Sequence, residues 1–278
     1  MKNIKIKNKN GRIINIDLRF AENASVKLPL LVFCHGFKGF KDWGSFPYIM
    51  DRFADAGFFT VSFNFSLNGM DNTKDNPVDF DRLDLFAEST FSSELDDLGE
   101  VLDFLEKEKH KYNYDFENLT LAGHSRGGGI AILKSAEDRR IKKLAALASV
   151  SEFNRYGEET KRMWREKGFI EALNTRTKQK MRMNVTLLED IENNAERLNI
   201  KNAISELRIP VLIIHGKEDQ AVDAKEAETL YEFSDKNRTK LIILENTGHT
   251  FGAVHPYEGM SDALERVIEE VIDFVKAG

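Results

Sequence analysis

Cysteine is nearly missing from this chain: Cys34 is the only one in 278 residues. A single thiol excludes an intramolecular disulfide and any zinc site built on several cysteines. Long apolar runs are also lacking, and none approaches the roughly 18 residues of a membrane-spanning helix. The first residues, MKNIKIKNKNGRIINI, alternate charge and isoleucine without an apolar h-region. That reads against a secretory signal and makes a cytoplasmic protein the expectation. Positive charge is in deficit, 40 Lys and Arg against 46 Asp and Glu for a net charge of −6. With no basic block to offset it, this reads against a nucleic-acid partner. No internal repeat and no low-complexity tract interrupts the chain. What remains is an ordinary globular composition, 41% apolar and 31% charged, long enough to bury a core.

The apolar residues fall into short runs. NIKIKN and RIINIDLRF, on either side of Asn10-Gly11, a dipeptide that tolerates the positive φ angles of a type I′ turn, read as an N-terminal hairpin. Beyond them come LLVFC (30–34), FFTVSF (58–63), LTLA (119–122), LAALASV (144–150), VLIIH (211–215) and LIIL (241–244). Unbroken runs of this kind suit strands covered on both faces, as in a parallel sheet. Between them lie helical patterns: Leu95, Leu98, Leu102 and Leu105 share one face, and ALERVIEEVIDFVKAG has the same period and finishes at a glycine. Alternating strands and helices predict a doubly wound α/β sheet with right-handed crossovers. From Ser151 to Ile209 no strand is evident, only polar helical material with scattered large apolar residues. The reading is a single domain over 1–278 with a helical cap inserted at 151–208.

Within LAGHSRGGGI, the residues Gly123-His124-Ser125-Arg126-Gly127 fit G-x-S-x-G between a strand and a helix. A serine on such a sharp turn presents its Oγ, and glycines on either side prevent a collision. The hydroxyl needs a base, and the base needs an orienting acid. Among six histidines, His249 in ENTGHTF follows the last strand and emerges at the carboxyl edge of the sheet; His255 is the alternative. Asp219 in VLIIHGKEDQAV follows its strand at the same edge, with Glu218 beside it as the other possible acid. The order Ser125, Asp219, His249, each after a strand, puts three partners where doubly wound sheets bind ligands. Acyl transfer also needs backbone donors for the developing oxyanion. The amide of Arg126, after the serine, and that of Phe37, in the loop HGFKGFKDWG, are the candidates. His35 reads as a structural residue of that loop and Cys34 as buried core. Trp164, Phe169 and Met183, with Leu173, Met181 and Leu187, either line a substrate pocket under the cap or anchor it to the sheet.

These residues resemble the α/β-hydrolase superfamily over essentially the whole chain, and especially its dienelactone-hydrolase and prolyl-oligopeptidase-like branch, which includes cinnamoyl and feruloyl esterases. The motifs are H-G-F-x-G at 35–39, G-H-S-R-G-G at 123–128, H-G-x-x-D at 215–219 and G-H-x-F at 248–251. The resemblance implies the α/β-hydrolase fold and a serine hydrolase of the carboxylesterase type. Such an enzyme acts on small-molecule esters through an acyl-enzyme, without a metal or other cofactor. It further implies a lid between the sixth and seventh core strands, where 151–208 lies. The chain departs from this branch after VSFNFS, where many relatives carry a short R-G-x-G-x-S loop and this chain has LNGMDNTKDNPVDFDRLDLFAEST. Dienelactone hydrolases proper use a cysteine where this chain has Ser125, which favours ester substrates. A peptidase, a thioesterase or acyltransferase on the same three residues, and a hydrolase-like binding protein without turnover remain the alternatives.

Overall fold

Along the unbroken run Leu30–Cys34, alternate residues part company. Leu30, Val32 and Cys34 join one buried cluster, while Leu31 and Phe33 join another on the opposite face. Val211 and Ile213 against Leu212 and Ile214 repeat the division. Successive side chains of a strand point to opposite faces, so a run apolar at every position needs cover on both sides. The structure, a computed structural model, describes residues 1–75, 77 and 79–277.

The elements follow in chain order. Strands β1 (Lys2–Lys7), β2 (Ile13–Arg19) and β3 (Leu28–Cys34) precede helix α1 (Phe46–Asp55), β4 (Phe59–Asn64), α2 (Leu83–Ala87) and α3 (Phe91–Glu108). Next come β5 (Tyr114–His124), α4 (Arg126–Glu137) and β6 (Ile141–Leu147). The segment that follows holds α5 (Glu158–Lys167), β7 (Phe169–Leu173), β8 (Lys180–Asn184), α6 (Val185–Asn193) and α7 (Ile200–Glu206). The chain closes with β9 (Val211–Gly216), α8 (Lys225–Phe233), β10 (Thr239–Leu244) and α9 (Asp262–Lys276).

Eight strands form one sheet in the order β1-β2-β4-β3-β5-β6-β9-β10. β1 and β2 pair antiparallel, as do β2 and β4, and the pairs from β4 through β10 are parallel. Every strand expected from the apolar runs is present, and the architecture is the α/β-hydrolase fold. Helices α1 and α9 cover one face through residues such as Met50, Phe53, Ile268 and Val271. Helices α3 and α4 cover the other through Leu95, Leu98, Leu102, Leu105 and Ile130. Helix α3 begins with reciprocal bonds between Thr90 and Ser93, each side chain taking the other's amide. Gly278, which ends the last periodic segment in sequence, lies outside the described residues, as do Asn76 and Val78. No helix among the described residues is long and apolar enough to cross a membrane.

Two expectations need correction. The first concerns the N-terminal turn. The Gly11 amide donates to Asn8 and the Asn8 amide to Arg12, and Gly11 has φ 73° while Asn10 stays outside the left-handed region. This is a type I turn closed by a glycine bulge, not a type I′ turn. The second concerns 151–208, which is not wholly helical: β7 and β8 pair antiparallel, from Phe169 opposite Asn184 to Leu173 opposite Lys180. The sequence KMRMN alternates Lys180 and Arg182 outward with Met181 and Met183 inward, a period of two that a search for unbroken apolar runs passes over.

Candidate active site

A single residue joins β5 to α4. It is Ser125, with φ 57° and ψ −122°, a conformation that non-glycine residues rarely hold without surrounding support. The support comes from close backbone packing. A β-carbon on Gly123 would stand 2.2 Å from the carbonyl oxygen of Gly127, and one on Gly127 would stand 2.4 Å from those of Cys34 and His35. One on Gly36 would lie 2.9 Å from the Ser125 β-carbon. Glycine is therefore required by space at all three positions, and the loop after β3 is brought directly against Ser125.

The loop after β10 brings His249 to the same edge of the sheet. Its Nε2 lies 3.0 Å from Ser125 Oγ, and its Nδ1 lies 2.7 Å from Asp219 Oδ2. An ionised carboxylate only accepts, so Nδ1 carries the proton and Nε2 turns its lone pair to the serine hydroxyl. Asp219 follows β9, and its Oδ1 accepts the amides of Ala221 (2.8 Å) and Val222 (2.9 Å). Burial alone would raise its pKa, but hydrogen bonds from His215, His249 and the Val222 amide outweigh that and hold it well below the usual carboxylate range. Glu218 faces elsewhere and accepts the amide of Thr247 at 2.8 Å. His255 takes the amide of Gly44 on its Nδ1 at 2.7 Å and stacks on Trp43. Ser125, Asp219 and His249 thus meet, while Glu218 and His255 stand apart from them.

His35 and His215 are structural neighbours. His35 donates from Nδ1 to the Gly36 carbonyl (3.0 Å), while its Nε2 receives the Phe65 amide and Asn68 Nδ2 (each 3.4 Å). Burial pulls its pKa down to about 4. His215 is buried in β9, its Nε2 2.8 Å from the Val222 carbonyl and 3.1 Å from Asp219 Oδ2. Neither the Phe37 nor the Arg126 amide donates to another protein group among the described residues. The Arg126 side chain lies between the rings of Phe37 (4.4 Å) and Phe91 (4.7 Å) and pairs with buried Glu94 at 3.1 Å.

Two chambers open onto Ser125 and His249, with Phe37 and Lys38 on the divide between them. The first, about 490 Å³, is lined by Phe91, Arg126, Phe153, Tyr156 and Val222 among others. The second, about 530 Å³, is lined by Trp43, His124, Asn174, Thr175, Arg176 and His255 among others. Trp164, Phe169 and Met183 line neither, which corrects the expectation that they form the pocket. Trp164 is wholly buried and donates from its indole nitrogen to the Met183 carbonyl at 3.0 Å, and the ring of Phe169 lies under Arg182. They pack the inserted segment against itself. The long segment 67–90 contributes no lining residue among those described; its Phe86 instead packs against Phe37.

The BD-FAE family model matches residues 82–233, more than half of the chain. The chain belongs to the BD-FAE family. The span shared with the BD-FAE model contains Ser125, Arg126 and Asp219 and stops short of His249; Phe37 precedes it. Solved structures extend the likeness over the whole fold. Est1E from Butyrivibrio proteoclasticus with bound ferulic acid aligns at a TM-score of 0.73 and 20% identity, over 98% of this chain and 97% of that one. An esterase domain from a Rhodothermus marinus protein aligns at 0.64 and 19% identity, over 98% and 96%. The alpha/beta hydrolase GrgF from Penicillium sp. sh18 aligns at 0.68 and 17% identity, over 99% and 97%. At such identities these likenesses establish the fold. No curated protein matches the chain.

Proposed function

We propose that this BD-FAE family member is a serine hydrolase of carboxylic esters, working through an acyl-enzyme on Ser125. The observation that carries the reading is the relay of 3.0 Å from Ser125 Oγ to His249 Nε2 and 2.7 Å from His249 Nδ1 to Asp219, set where two chambers meet. His249 takes the Ser125 proton as Oγ attacks the ester carbonyl, and Asp219 stabilises the imidazolium that forms. The amides of Phe37 and Arg126 receive the oxyanion; one such donor is worth about 3 kcal/mol of barrier. The tetrahedral intermediate collapses, the alcohol departs with the proton from His249, and the acyl group stays on Ser125. A water then attacks the acyl-enzyme with His249 again as base, and the acid is released.

The chambers suggest the two halves of the ester. Residues shortly after His249, namely Thr250, Ala253, Val254 and His255, line the second chamber, so the alcohol that His249 protonates belongs there. The first chamber, on the Arg126 side, takes the acyl group against Phe37, Phe91 and Phe153. The insertion 151–208 serves as a cap, since Phe153, Arg155 and Tyr156 reach the first chamber and Asn174, Thr175 and Arg176 the second.

The test pairs wild type with Ser125→Ala on acetyl, octanoyl and feruloyl chromogenic esters. Turnover by wild type and none by the variant is expected, together with a fluorophosphonate adduct on Ser125. Equal rates in the two proteins, or no adduct, would sink the reading and favour a binding protein built on the same fold.

A further inference from the structure

Cations gather at the two chambers of a chain whose net charge is −6. Lys38, Arg126, Arg155 and Arg176 all line them, against a single acid, Glu152. Most of these charges are already answered within the protein. Arg126 pairs with Glu94 (3.1 Å), Arg155 with Glu226 (2.9 Å) and Arg176 with Asp79 (3.8 Å), while Glu152 pairs with Lys201 (3.0 Å). Lys38 is the exception. Among the described residues no carboxylate lies within ion-pairing distance of its Nζ, whose protein contacts are the main-chain carbonyl of Leu173 at 2.7 Å and the face of the Phe37 ring at 5.2 Å. An ammonium has three protons to donate, so two remain for something else.

The placement of Lys38 is costly in a second way. Its φ is 55°, in the left-handed region where glycine would be the unstrained choice. Strain of this kind persists where the surrounding structure holds it, and it concentrates at binding and reacting sites. Lys38 also follows Phe37 directly and borders both chambers where they meet at Ser125 and His249. Its side chain reaches over that junction to the end of β7. Half-burial without a counter-charge pulls its pKa below the ordinary lysine value, so an anion delivered to this point would relieve what the protein leaves unanswered.

We infer that Lys38 is a specificity-determining residue that selects esters whose acyl group carries a negative charge, a carboxylate held where the two chambers meet, within reach of its Nζ. The inference rests on the serine-hydrolase reading above. In the bound ester the carboxylate takes the two free ammonium protons while Leu173 keeps the third. A cationic acyl group is repelled by the ammonium at that point, and a neutral one is merely tolerated.

The probe is a pair of esters of equal chain length and identical leaving group, mono-4-nitrophenyl adipate and 4-nitrophenyl hexanoate, with the spontaneous rates subtracted. What is read is the ratio of their kcat/KM values, which a partial loss of folded protein does not change. Wild type is expected to favour the adipate by roughly tenfold at low salt, the scale of one hydrogen bond to a charged group, and by less as salt rises. Lys38→Met removes the charge at similar length and is expected to bring the ratio close to the level of an uncharged wall, while Lys38→Arg retains the preference. A wild-type ratio at or below one, with hydrolysis still dependent on Ser125, overturns the inference alone; so does a ratio unchanged in Lys38→Met. If wild type turns over neither ester and fluorophosphonate leaves Ser125 unmodified, the hydrolase reading falls and takes this inference with it.

Discussion

His124 donates from Nε2 to the main-chain carbonyl of His249 at 2.8 Å. The residue before the proposed nucleophile therefore holds the backbone of the proposed base, and the strand-to-helix turn and the loop after β10 are tied without an intervening element. The two imidazoles sit 4.8 Å apart, with Phe46 and Phe251 packed around His124. Replacing His124 by Phe keeps the aromatic volume and removes the donor. A buried hydrogen bond of this kind is worth about 1 kcal/mol, so kcat on a small ester should fall several-fold while KM stays near its wild-type value. A larger rise in KM than fall in kcat would mean that His124 serves the chamber rather than the base.

Acid should destabilise the fold through two buried histidines. Burial and the nearby His249 lower the pKa of His124 to about 3, and burial lowers that of His35 to about 4, from an ordinary value of 6.5. Below pH 6.5 the unfolded chain binds protons that the folded chain refuses, so stability is complete above 6.5 and declines as pH falls toward 4. Urea-unfolding midpoints across that range should drop with pH in the wild type and drop less in a His35→Gln, His124→Gln double variant. Parallel curves for the two proteins would remove these histidines as the cause.

The turn at Ser125 is a matter of space before it is one of chemistry. Ala at position 127 would drive a β-carbon onto two carbonyl oxygens at 2.4 Å, one on Cys34 at the end of β3 and one on His35 just beyond it. Overpacking typically costs about 1–3 kcal/mol, and here neither neighbour is a flexible side chain, so the upper end is expected. Thermal unfolding of Gly127→Ala against Gly157→Ala is the comparison, since a β-carbon on Gly157 meets nothing within 4 Å. Equal melting temperatures would show that the turn yields more readily than its packing indicates.

The sequence carries much of this architecture in the open, and the reason is local. A central strand such as Leu30–Cys34 must be apolar at every position because both faces are covered, and that demand is written in five consecutive residues. Ser125, Asp219 and His249 are legible for a related reason: each follows such a run closely, so the end of the run locates it at one sheet edge. The chambers are not legible in this way. Phe37, Phe91, Phe153 and Val222 come from four separate segments, and no period or motif links them. Trp164 shows the opposite failure. A large apolar residue amid polar helix looks like a ligand contact, whereas it fills the interior of its own small unit.

Trp164 is fully buried, anchored on Met183 and packed edge-on to Tyr156 at 5.0 Å between ring centres. Trp164→Ala should cost about 3–5 kcal/mol of stability, the usual range for deleting a buried aromatic. The ratio of kcat/KM values between short and long acyl esters should stay as in wild type, measured at a temperature where the variant is folded. A changed ratio at full folding would return Trp164 to the pocket.

The acid can be tested against its neighbour in sequence. Asp219 Oδ1 must accept the Ala221 and Val222 amides, so in Asp219→Asn the oxygen stays there and the new amide nitrogen faces His249. An N–H donor in that place requires an unprotonated Nδ1 on His249, which puts the ring's proton on Nε2, pointing at Ser125 and unable to take its hydrogen. A loss of about 10⁴-fold in kcat is the scale for this wrong tautomer in a serine hydrolase. Glu218→Gln keeps an oxygen for the Thr247 amide at the loop and is expected to stay within about twofold of wild type, a difference smaller than 0.5 kcal/mol. Steady-state rates of the two variants on one chromogenic ester separate the assignments: if Glu218→Gln shows the large loss and Asp219→Asn the small one, His249 is oriented by Glu218 in the working enzyme.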